Sequence, residues 1–371
     1  MKTIAIIGAS YLQLPLARKA KKMGLRVICF AWADGAVCSE IADKFYPVSI
    51  VEHEAILEIC REEMIDGICT IASDVAAPTV AYVAESMGLV GNKYEAAVRA
   101  NDKYQMRSAF EKAGIPCPRF ASVTSGESVD FSDWCFPLIV KPCDRSGSLG
   151  VRKVNDMTEL LQGISYAQVV SFKKEAIVEE YIEGREISVE FISFRGKHYP
   201  LTITDKVTTG PPHFVELEHH QPAVLSAPQY EAIYDLTKKA LSSLGITDGA
   251  SHTEYKITDD GSVFIIELGA RMGGDFIGSD LVRLSTGYDF VKGVIQVALG
   301  DFEPPVLTEK KHSGVYFLCK DTERLLPFFN QEYSTPGLVR KEILNKDLKE
   351  VACSADRSGY MVYQANQRIV L

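Results

Sequence analysis

Three apolar segments of this chain each lead directly into a charged residue, and their order constrains the fold more than any other feature. They end at Lys141, Glu179 and Glu267. Short apolar runs bounded by turn residues are typical of buried strands. The sequence therefore predicts three strands that present charged side chains where they end.

Residues 3 to about 90 alternate between strand-like and helix-like patterns. Strands are predicted at 3–7, 25–30 and 67–71, with helices at 12–23, 54–63 and 76–87. Such alternation implies a parallel sheet, and parallel sheets bind ligands at the carboxyl ends of their strands. Gly8 and Asp74 lie at such ends. The turn at Gly8 lacks G-x-G-x-x-G, which argues against an NAD site.

The composition narrows the class of protein. A chain of 371 residues predicts two or three units. The net charge of −9 gives no support to a nucleic-acid partner. No apolar run approaches the roughly 20 residues that span a bilayer, so no membrane partner is expected. The nine cysteines form no C-x-x-C pair and indicate reduced thiols. We expect a cytoplasmic protein, since no signal-peptide pattern opens the sequence.

A Gly/Pro-rich stretch at 114–118 marks a boundary in the chain. Before it, Asn101 or Asp102 is the predicted N-cap of a helix through 112. Beyond it, strands at 120–123, 138–140, 177–178, 187–193, 199–203 and 263–267 and a helix ending at Gly245 indicate an α+β unit. The tail from 301 shows strand-like patterns only at 314–319 and 361–363.

The segment around Lys141 has the chemistry of a phosphate site. A lysine at a strand end can reach phosphate oxygens. The loop 146–150 follows it, beginning with Ser146 and Gly147, and glycines allow a close backbone approach to phosphate. The alternative is a hairpin turn with a surface lysine. A P-loop is excluded, because its G-x-x-x-x-G-K-[ST] pattern is absent.

The segment after Val178 has the chemistry of a nucleoside site. Glu179, Glu180, Tyr181 and Ile182 can supply an apolar slot and backbone hydrogen bonds for adenine, and Glu186 can accept from ribose hydroxyls. The alternative is a polar-ended strand with a turn at 183–184.

Two acidic residues, Glu254 and Glu267, lie on predicted strands joined by the turn 258–261. If the strands pair as a hairpin, both carboxylates can approach one Mg²⁺ ion. The alternative is two exposed strand acids. His219 and His220 fall in a stretch predicted to be loop-rich, where substrate binding and simple surface exposure are both open. Too few ligands accompany them for a zinc site.

Together these motifs resemble the ATP-grasp superfamily of carboxylate–amine ligases, including its carbamoyl-phosphate-synthase-like and L-amino-acid-ligase-like members. The resemblance spans residues 1 to about 300. It implies an α/β architecture, with an N-terminal parallel-sheet pre-ATP-grasp domain at 1–95 and an α+β ATP-grasp fold of two lobes at 96–300. The mobile lobe would cover about 115–185, and 301–371 would form a C-terminal α+β region.

The resemblance also implies roles for individual residues. ATP would be held by Lys103, Lys141, Ser146, Gly147, Glu179, Glu180, Tyr181, Ile182 and Glu186, and Mg²⁺ or Mn²⁺ by Glu254 and Glu267. The acceptor substrate would contact Asp74, His219, Arg271, Gly273 and Gly274. Arg271 and Lys141 would be catalytic. One position departs from the family: many members have a metal-binding Asn where this chain has Gly269.

The function implied by the resemblance is ligation. ATP would activate a small carboxylate as an acyl phosphate, and an amine would displace the phosphate. Two alternatives stay open: a carboxylase or synthetase of the purine-biosynthesis type, and a non-catalytic nucleotide sensor. The expected partners are small molecules. The assembly is left open, with a homodimer as one option.

Overall fold

The first strand of the chain is completely buried, and the N-terminal sheet is built around it. The computed structural model describes residues 1–124, 129–147, 149–330, 333–335 and 337–371. Its strands are β1 (Thr3–Ile7), β2 (Arg26–Phe30), β3 (Lys44–Tyr46), β4 (Gly67–Cys69), β5 (Phe120–Thr124), β6 (Leu138–Pro142), β7 (Arg152–Val154), β8 (Glu175–Glu180), β9 (Arg185–Phe194), β10 (Lys197–Thr208), β11 (Glu216–Gln221), β12 (Gly249–Ile257), β13 (Val263–Gly269), β14 (His312–Leu318), β15 (Leu338–Ile343) and β16 (Gly359–Ala365).

The helices alternate with strands in the first part of the chain and are scattered afterwards. They are α1 (Leu14–Lys22), α2 (His53–Glu62), α3 (Ala77–Met87), α4 (Tyr94–Asn101), α5 (Lys103–Lys112), α6 (Met157–Val170), α7 (Ala227–Leu244), α8 (Val282–Thr286), α9 (Phe290–Ala298) and α10 (Leu326–Phe329). No helix within the described residues is both long and apolar enough to cross a bilayer.

The N-terminal sheet is parallel, with strand order β3-β2-β1-β4. One face packs against α2 and α3, and the other against α1 and the distant helix α9. The predicted parallel sheet is confirmed. The contribution of α9 was not predicted, because it comes about 200 residues later in the chain.

A small antiparallel sheet of order β5-β8-β6-β7 carries the predicted phosphate and nucleoside segments. Helix α6 covers one face with Leu160, Ile164 and Ala167. Strands β6 and β8 pair antiparallel, with Lys141 opposite Ile177 and Ile139 opposite Glu179. Lys141 and Glu179 are therefore diagonal neighbours on one face of the sheet.

The third sheet is antiparallel and has eight described strands in the order β13-β12-β9-β10-β11-β14-β16-β15. The C-terminal strands continue the same sheet, because β14 pairs with β11. His219 and His220 lie in β11, and both are buried. The predicted loop at these histidines is therefore wrong, and of the two alternatives left open for them, simple surface exposure is excluded. The prediction failed because most residues in 216–221 are polar, which is typical of a loop, although the segment forms a strand with a neighbouring strand on each side.

Candidate active site

The predicted site residues converge on one cleft between the small sheet, the large sheet and the carboxyl ends of the parallel strands. With the exception of Gly273, all of them line it: Asp74, Lys103, Lys141, Ser146, Gly147, Glu179, Glu180, Tyr181, Ile182, Glu186, His219, Glu254, Glu267, Arg271 and Gly274. Ser148, the next residue of the predicted phosphate loop, lies outside the described residues.

Lys141 is held by a buried network of charges. Its Nζ is 2.7 Å from Glu179 Oε2, and Arg107 Nε is 2.7 Å from Glu179 Oε1. Burial raises the pKa of Glu179, but the two cations more than offset this and lower it. Burial lowers the pKa of Lys141. The Glu179 carboxylate thus fixes Lys141 at the cleft, and Arg107 keeps that carboxylate charged.

Lys103 opens α5 and connects two walls of the cleft. Asp102 caps the helix by accepting a hydrogen bond from the backbone N–H of Gln105 at 3.1 Å, as predicted for one of the two candidate caps. Lys103 Nζ lies 3.1 Å from Glu267 Oε1 and donates to the carbonyl oxygen of Arg145 at 2.6 Å. Burial lowers the pKa of Lys103, but Glu267 and other nearby carboxylates more than offset this and raise it above its usual value. A permanent positive charge therefore lies between the acidic strand and the predicted phosphate loop.

Glu254 and Glu267 are directly opposite each other in the β12–β13 hairpin. Glu254 Oε1 is 2.5 Å from Lys206 Nζ and 3.3 Å from His252 Nε2. Burial raises the pKa of Glu254, but Lys206 and His252 more than offset this and hold it well below its usual value. Both acids line the cleft.

These two carboxylates fit the needs of Mg²⁺. The ion is commonly held by one or two carboxylates together with substrate phosphates. The described residues contain no group of three or more His, Cys, Asp or Glu arranged to hold a metal without phosphate. The donor set therefore suits a cation that arrives with a nucleotide.

Gly269 has a physical reason to lack a side chain. A Cβ at this position would lie 2.6 Å from Asp74 Oδ1 and 3.2 Å from Arg271 Cζ. Asp74 Oδ2 accepts a hydrogen bond from an Arg271 terminal nitrogen at 2.7 Å. The Asp74–Arg271 ion pair therefore fills the space that an Asn at 269 would need.

The end of the cleft near β11 is lined by charged and polar residues. The His219 ring is fully buried, and neither of its nitrogens has a hydrogen-bond partner among the described residues. Burial, together with Lys206 and Arg357, holds the pKa of His219 well below its usual value, so the imidazole is neutral. Lys206 Nζ is 3.7 Å from Glu216 Oε1. A neutral, buried imidazole therefore lies beside charged side chains at this end of the cleft.

Another part of the cleft wall combines apolar lining with a few charges. Pro118, Ile139 and Ile266 line it with Tyr181 and Ile182. Lys153 Nζ lies 3.9 Å from the centroid of the Tyr181 ring, and Lys256 Nζ lies 3.0 Å from Glu186 Oε1. An apolar slot beside a carboxylate is the arrangement that a nucleoside needs.

Sequence reasoning missed several residues that shape the cleft. They are Arg107, Glu190, Lys206, Glu216 and His252. Arg107 lies one helical turn after Lys103, and this i, i+4 spacing indicates that both side chains lie on the same face of the helix. Lys206 and Glu216 carry no local motif, because their positions follow from the pairing of β10 with β11.

Comparisons with known proteins agree with this geometry. The family model described as "ATP-grasp domain" matches residues 134–280. Alanine–anticapsin ligase of Bacillus subtilis is 31% identical over 245 residues, covering 60% of this chain and 51% of that protein. D-alanine–D-alanine ligase of Pseudomonas entomophila is 25% identical over 228 residues, covering 57% of this chain and 69% of that protein. The chain thus spans about half the length of the first of these ligases.

Solved structures with the same fold cover nearly the whole chain. L-amino acid ligase from Bacillus licheniformis has a TM-score of 0.81 at 24% identity, covering 99% of this chain and 94% of that one. Phosphoribosylglycinamide synthetase from Anaerococcus prevotii has a TM-score of 0.76 at 21% identity, with the same coverage. The predicted fold class is therefore confirmed. Residues 134–280 therefore match an ATP-grasp domain, within a chain that has the fold of these ligases over nearly its whole length.

Proposed function

We propose that this chain is an ATP-dependent ligase that activates a small carboxylate as an acyl phosphate for attack by an amine. One observation carries the proposal. A single cleft holds two buried lysines, an opposed pair of carboxylates and an arginine. Each is a group that phosphoryl transfer to a carboxylate needs.

The nucleotide half of the site follows from charge. Lys103 and Lys141 supply positive charge where phosphates would lie, and the apolar slot near Tyr181 suits adenine. Glu254 and Glu267 would hold Mg²⁺ against the phosphates, where the ion would neutralise charge that develops during transfer. Lys206 and Lys103 neutralise these carboxylates in the absence of a metal.

The acceptor half of the site follows from Arg271. Its guanidinium is fixed by Asp74, and its Nε is buried with no hydrogen-bond partner in the part of the chain that the structure describes. A planar guanidinium suits bidentate binding of a carboxylate or an acyl phosphate. Arg271 would thus orient the carboxylate toward the transferred phosphate and stabilise the charge on it.

The amine would enter from the β11 side of the cleft. Glu216 lines this side, and burial raises the pKa of its carboxyl group despite the opposing charge of Lys206. A carboxylate here can hold an ammonium group, while the neutral His219 ring can accept a hydrogen bond. This region would therefore distinguish amine-bearing substrates, and amino acids are the class that we propose.

A trapping experiment tests the reaction type. Purified protein is incubated with ATP, Mg²⁺ and a panel of amino acids, hydroxy acids and bicarbonate, with and without hydroxylamine. We expect ADP release that depends on an amino acid, and a hydroxamate of that acid, because hydroxylamine attacks an acyl phosphate. Lys141→Met is the negative control, with turnover expected to fall about 10²–10³-fold through the loss of fixed positive charge.

The control for folding is Lys197→Met, which removes an exposed lysine at the start of β10. ADP release stimulated by bicarbonate alone would favour a carboxylase instead. Nucleotide binding without turnover under any condition of the panel would favour a sensor.

A further inference from the structure

A buried pair, Glu190 and His252, lies directly behind the candidate metal carboxylates. The two residues are opposite each other where β9 pairs with β12. The Glu190 side chain is completely buried, and the His252 side chain is 7% exposed. Glu190 Oε1 contacts His252 Nδ1. An acid at the centre of a sheet is costly unless it is paired, and this one is paired on both oxygens.

The pair connects two parts of the site that are separate in sequence. On one side, Glu190 Oε2 accepts a hydrogen bond from the backbone N–H of Gly273 at 3.1 Å, in the loop that carries Arg271. On the other side, His252 Nε2 lies 3.3 Å from Glu254 Oε1. A continuous path of contacts thus runs from the Arg271 loop through Glu190 and His252 to Glu254.

Gly273 shows how closely this loop is held. A Cβ there would lie 2.8 Å from His252 Nδ1 and 2.9 Å from Glu190 Oε1. The loop backbone therefore rests directly on the pair. This explains why Gly273 does not line the cleft with the other predicted substrate residues.

Stability alone does not account for the pair. Apolar residues of similar size can replace a buried ion pair at little or no cost in stability. What apolar residues cannot do is hold a carboxylate and a backbone N–H at fixed positions. The distinguishing property of the pair is the geometry that it imposes.

We propose that Glu190 and His252 are positioning residues that fix the Glu254 carboxylate relative to the Arg271 loop. The inference rests on the proposed function, in which Glu254 binds the metal. His252 and Lys206 contact the same oxygen, Glu254 Oε1. Without His252, the lysine at 2.5 Å would be the one hydrogen-bond partner left to this carboxylate among the described residues, and the carboxylate would be free to rotate about that contact. Metal affinity would then fall even though neither metal carboxylate has changed.

Metal binding without turnover tests this proposal. Mn²⁺ is titrated into the protein in the presence of a non-hydrolysable ATP analogue, and free Mn²⁺ is followed by electron paramagnetic resonance. We expect His252→Gln to weaken Mn²⁺ binding by about 10- to 100-fold, the usual effect of losing a residue that orients a metal ligand. Glu190→Gln should weaken it less, because the amide oxygen still accepts from Gly273.

Thr237→Val is the matched control. It removes a buried 2.8 Å hydrogen bond to Tyr255, and Thr237 makes no hydrogen bond to Glu254 or Gly273. We expect this variant to bind Mn²⁺ as the wild type does. At high Mn²⁺, turnover of His252→Gln should recover in part, which a loss of folding would not allow.

The outcomes separate the two proposals. If the wild type binds no Mn²⁺ with the nucleotide analogue, the metal assignment in the proposed function fails. If the wild type binds Mn²⁺ and a folded His252→Gln binds it equally well, only the positioning role is overturned. Should His252→Gln fail to fold, the isosteric Glu190→Gln decides, and wild-type affinity in that variant overturns the role.

Discussion

At the residue scale, the cleft depends on small residues as much as on charged ones. Gly269 and Gly273 leave room for two buried ion pairs, Asp74–Arg271 and Glu190–His252. In each case a methyl group would overlap a side-chain atom at less than 3.0 Å. Close packing makes such overlaps costly, because a packed interior cannot yield without moving its neighbours.

The change Gly269→Ala should therefore disable the proposed acceptor half of the site. The new Cβ would displace Asp74 and release Arg271, so we expect kcat/KM for the acceptor to fall by about 10-fold or more, with little change in ATP affinity. Steady-state kinetics with the substrate found in the trapping panel measure both. Gly163→Ala is the control, because a Cβ there meets nothing closer than 3.4 Å. Equal acceptor kinetics in Gly269→Ala and wild type would contradict this account.

A second residue-scale prediction concerns Glu63, which supports the edge strand β3. Its carboxylate contacts Lys44 and Tyr46 at 2.5 Å and also contacts Arg26. Hydrogen bonds from Lys44, Tyr46 and Arg26 lower the pKa of Glu63 to about 2. A lowered pKa means that these contacts stabilise the folded protein above the ordinary carboxyl pKa, and that this stability is lost as the pH falls toward 2.

We expect Glu63→Gln to lower the free energy of unfolding by about 1 kcal/mol at neutral pH, since Lys44 is partly screened by solvent. Urea unfolding of both proteins at about pH 6 and about pH 3 measures the difference, which should shrink at the lower pH. A difference that grows on acidification would show that the folded-state pKa of Glu63 is not lowered.

At the element scale, α5 organises the half of the cleft that we propose for the nucleotide. Its first residue is Lys103, and Arg107 follows one turn later, so one helix contributes contacts to both β13 and β8. The Arg107 guanidinium also donates to the carbonyl oxygen of Ile266 at 2.5 Å. The helix N-terminus adds partial positive charge near the proposed phosphates.

The contact between Lys103 and the Arg145 carbonyl predicts how the loop after β6 responds to nucleotide. Phosphate bound at Lys103 and Lys141 would hold this loop over the cleft. Trypsin cleavage after Arg145 should therefore slow by about 10-fold or more with ATP and Mg²⁺ present. Cleavage after the exposed Lys346 serves as the internal reference and should not change. Equal protection at both positions, or at neither, would argue against closure of this loop.

At the scale of the whole molecule, the N-terminal unit and the ATP-grasp region share one core. Ile4, Val27 and Cys69 of the parallel sheet belong to the same apolar cluster as Phe290 and Val294 of α9. The contact is close, because a Cβ at Gly67 would lie 2.6 Å from the carbonyl oxygen of Ala298. The Asp74–Arg271 ion pair crosses the same boundary.

Fragments 1–95 and 96–371 should therefore not fold separately. Each apolar side chain left exposed costs about 2 kcal/mol, and a whole domain is stable by only about 5–15 kcal/mol. We expect the intact chain to melt in one cooperative transition and each purified fragment to show none, as measured by circular dichroism and calorimetry. A cooperative melt from either fragment alone would mean that the shared core is not essential.

The sequence determined the local features of this protein. Apolar runs with flanking turns predicted most strands, helix spacing predicted α3, α5 and α7, and the turn at 258–261 predicted that Glu254 and Glu267 share a hairpin. These predictions depended on interactions between residues near one another in the chain. Periodicity, capping and turn chemistry are visible at that range.

Only the tertiary structure decided which strands, helices and side chains are neighbours in space. It placed His219 and His220 in a buried strand between β10 and β14, put α9 against the first sheet, and set Glu190 against His252 and Gly273. None of these contacts follows from spacing, because each joins residues that are far apart in sequence. A polar segment inside a sheet is predicted as a loop when only its sequence is known, because its burial and its strand partners depend on the tertiary structure.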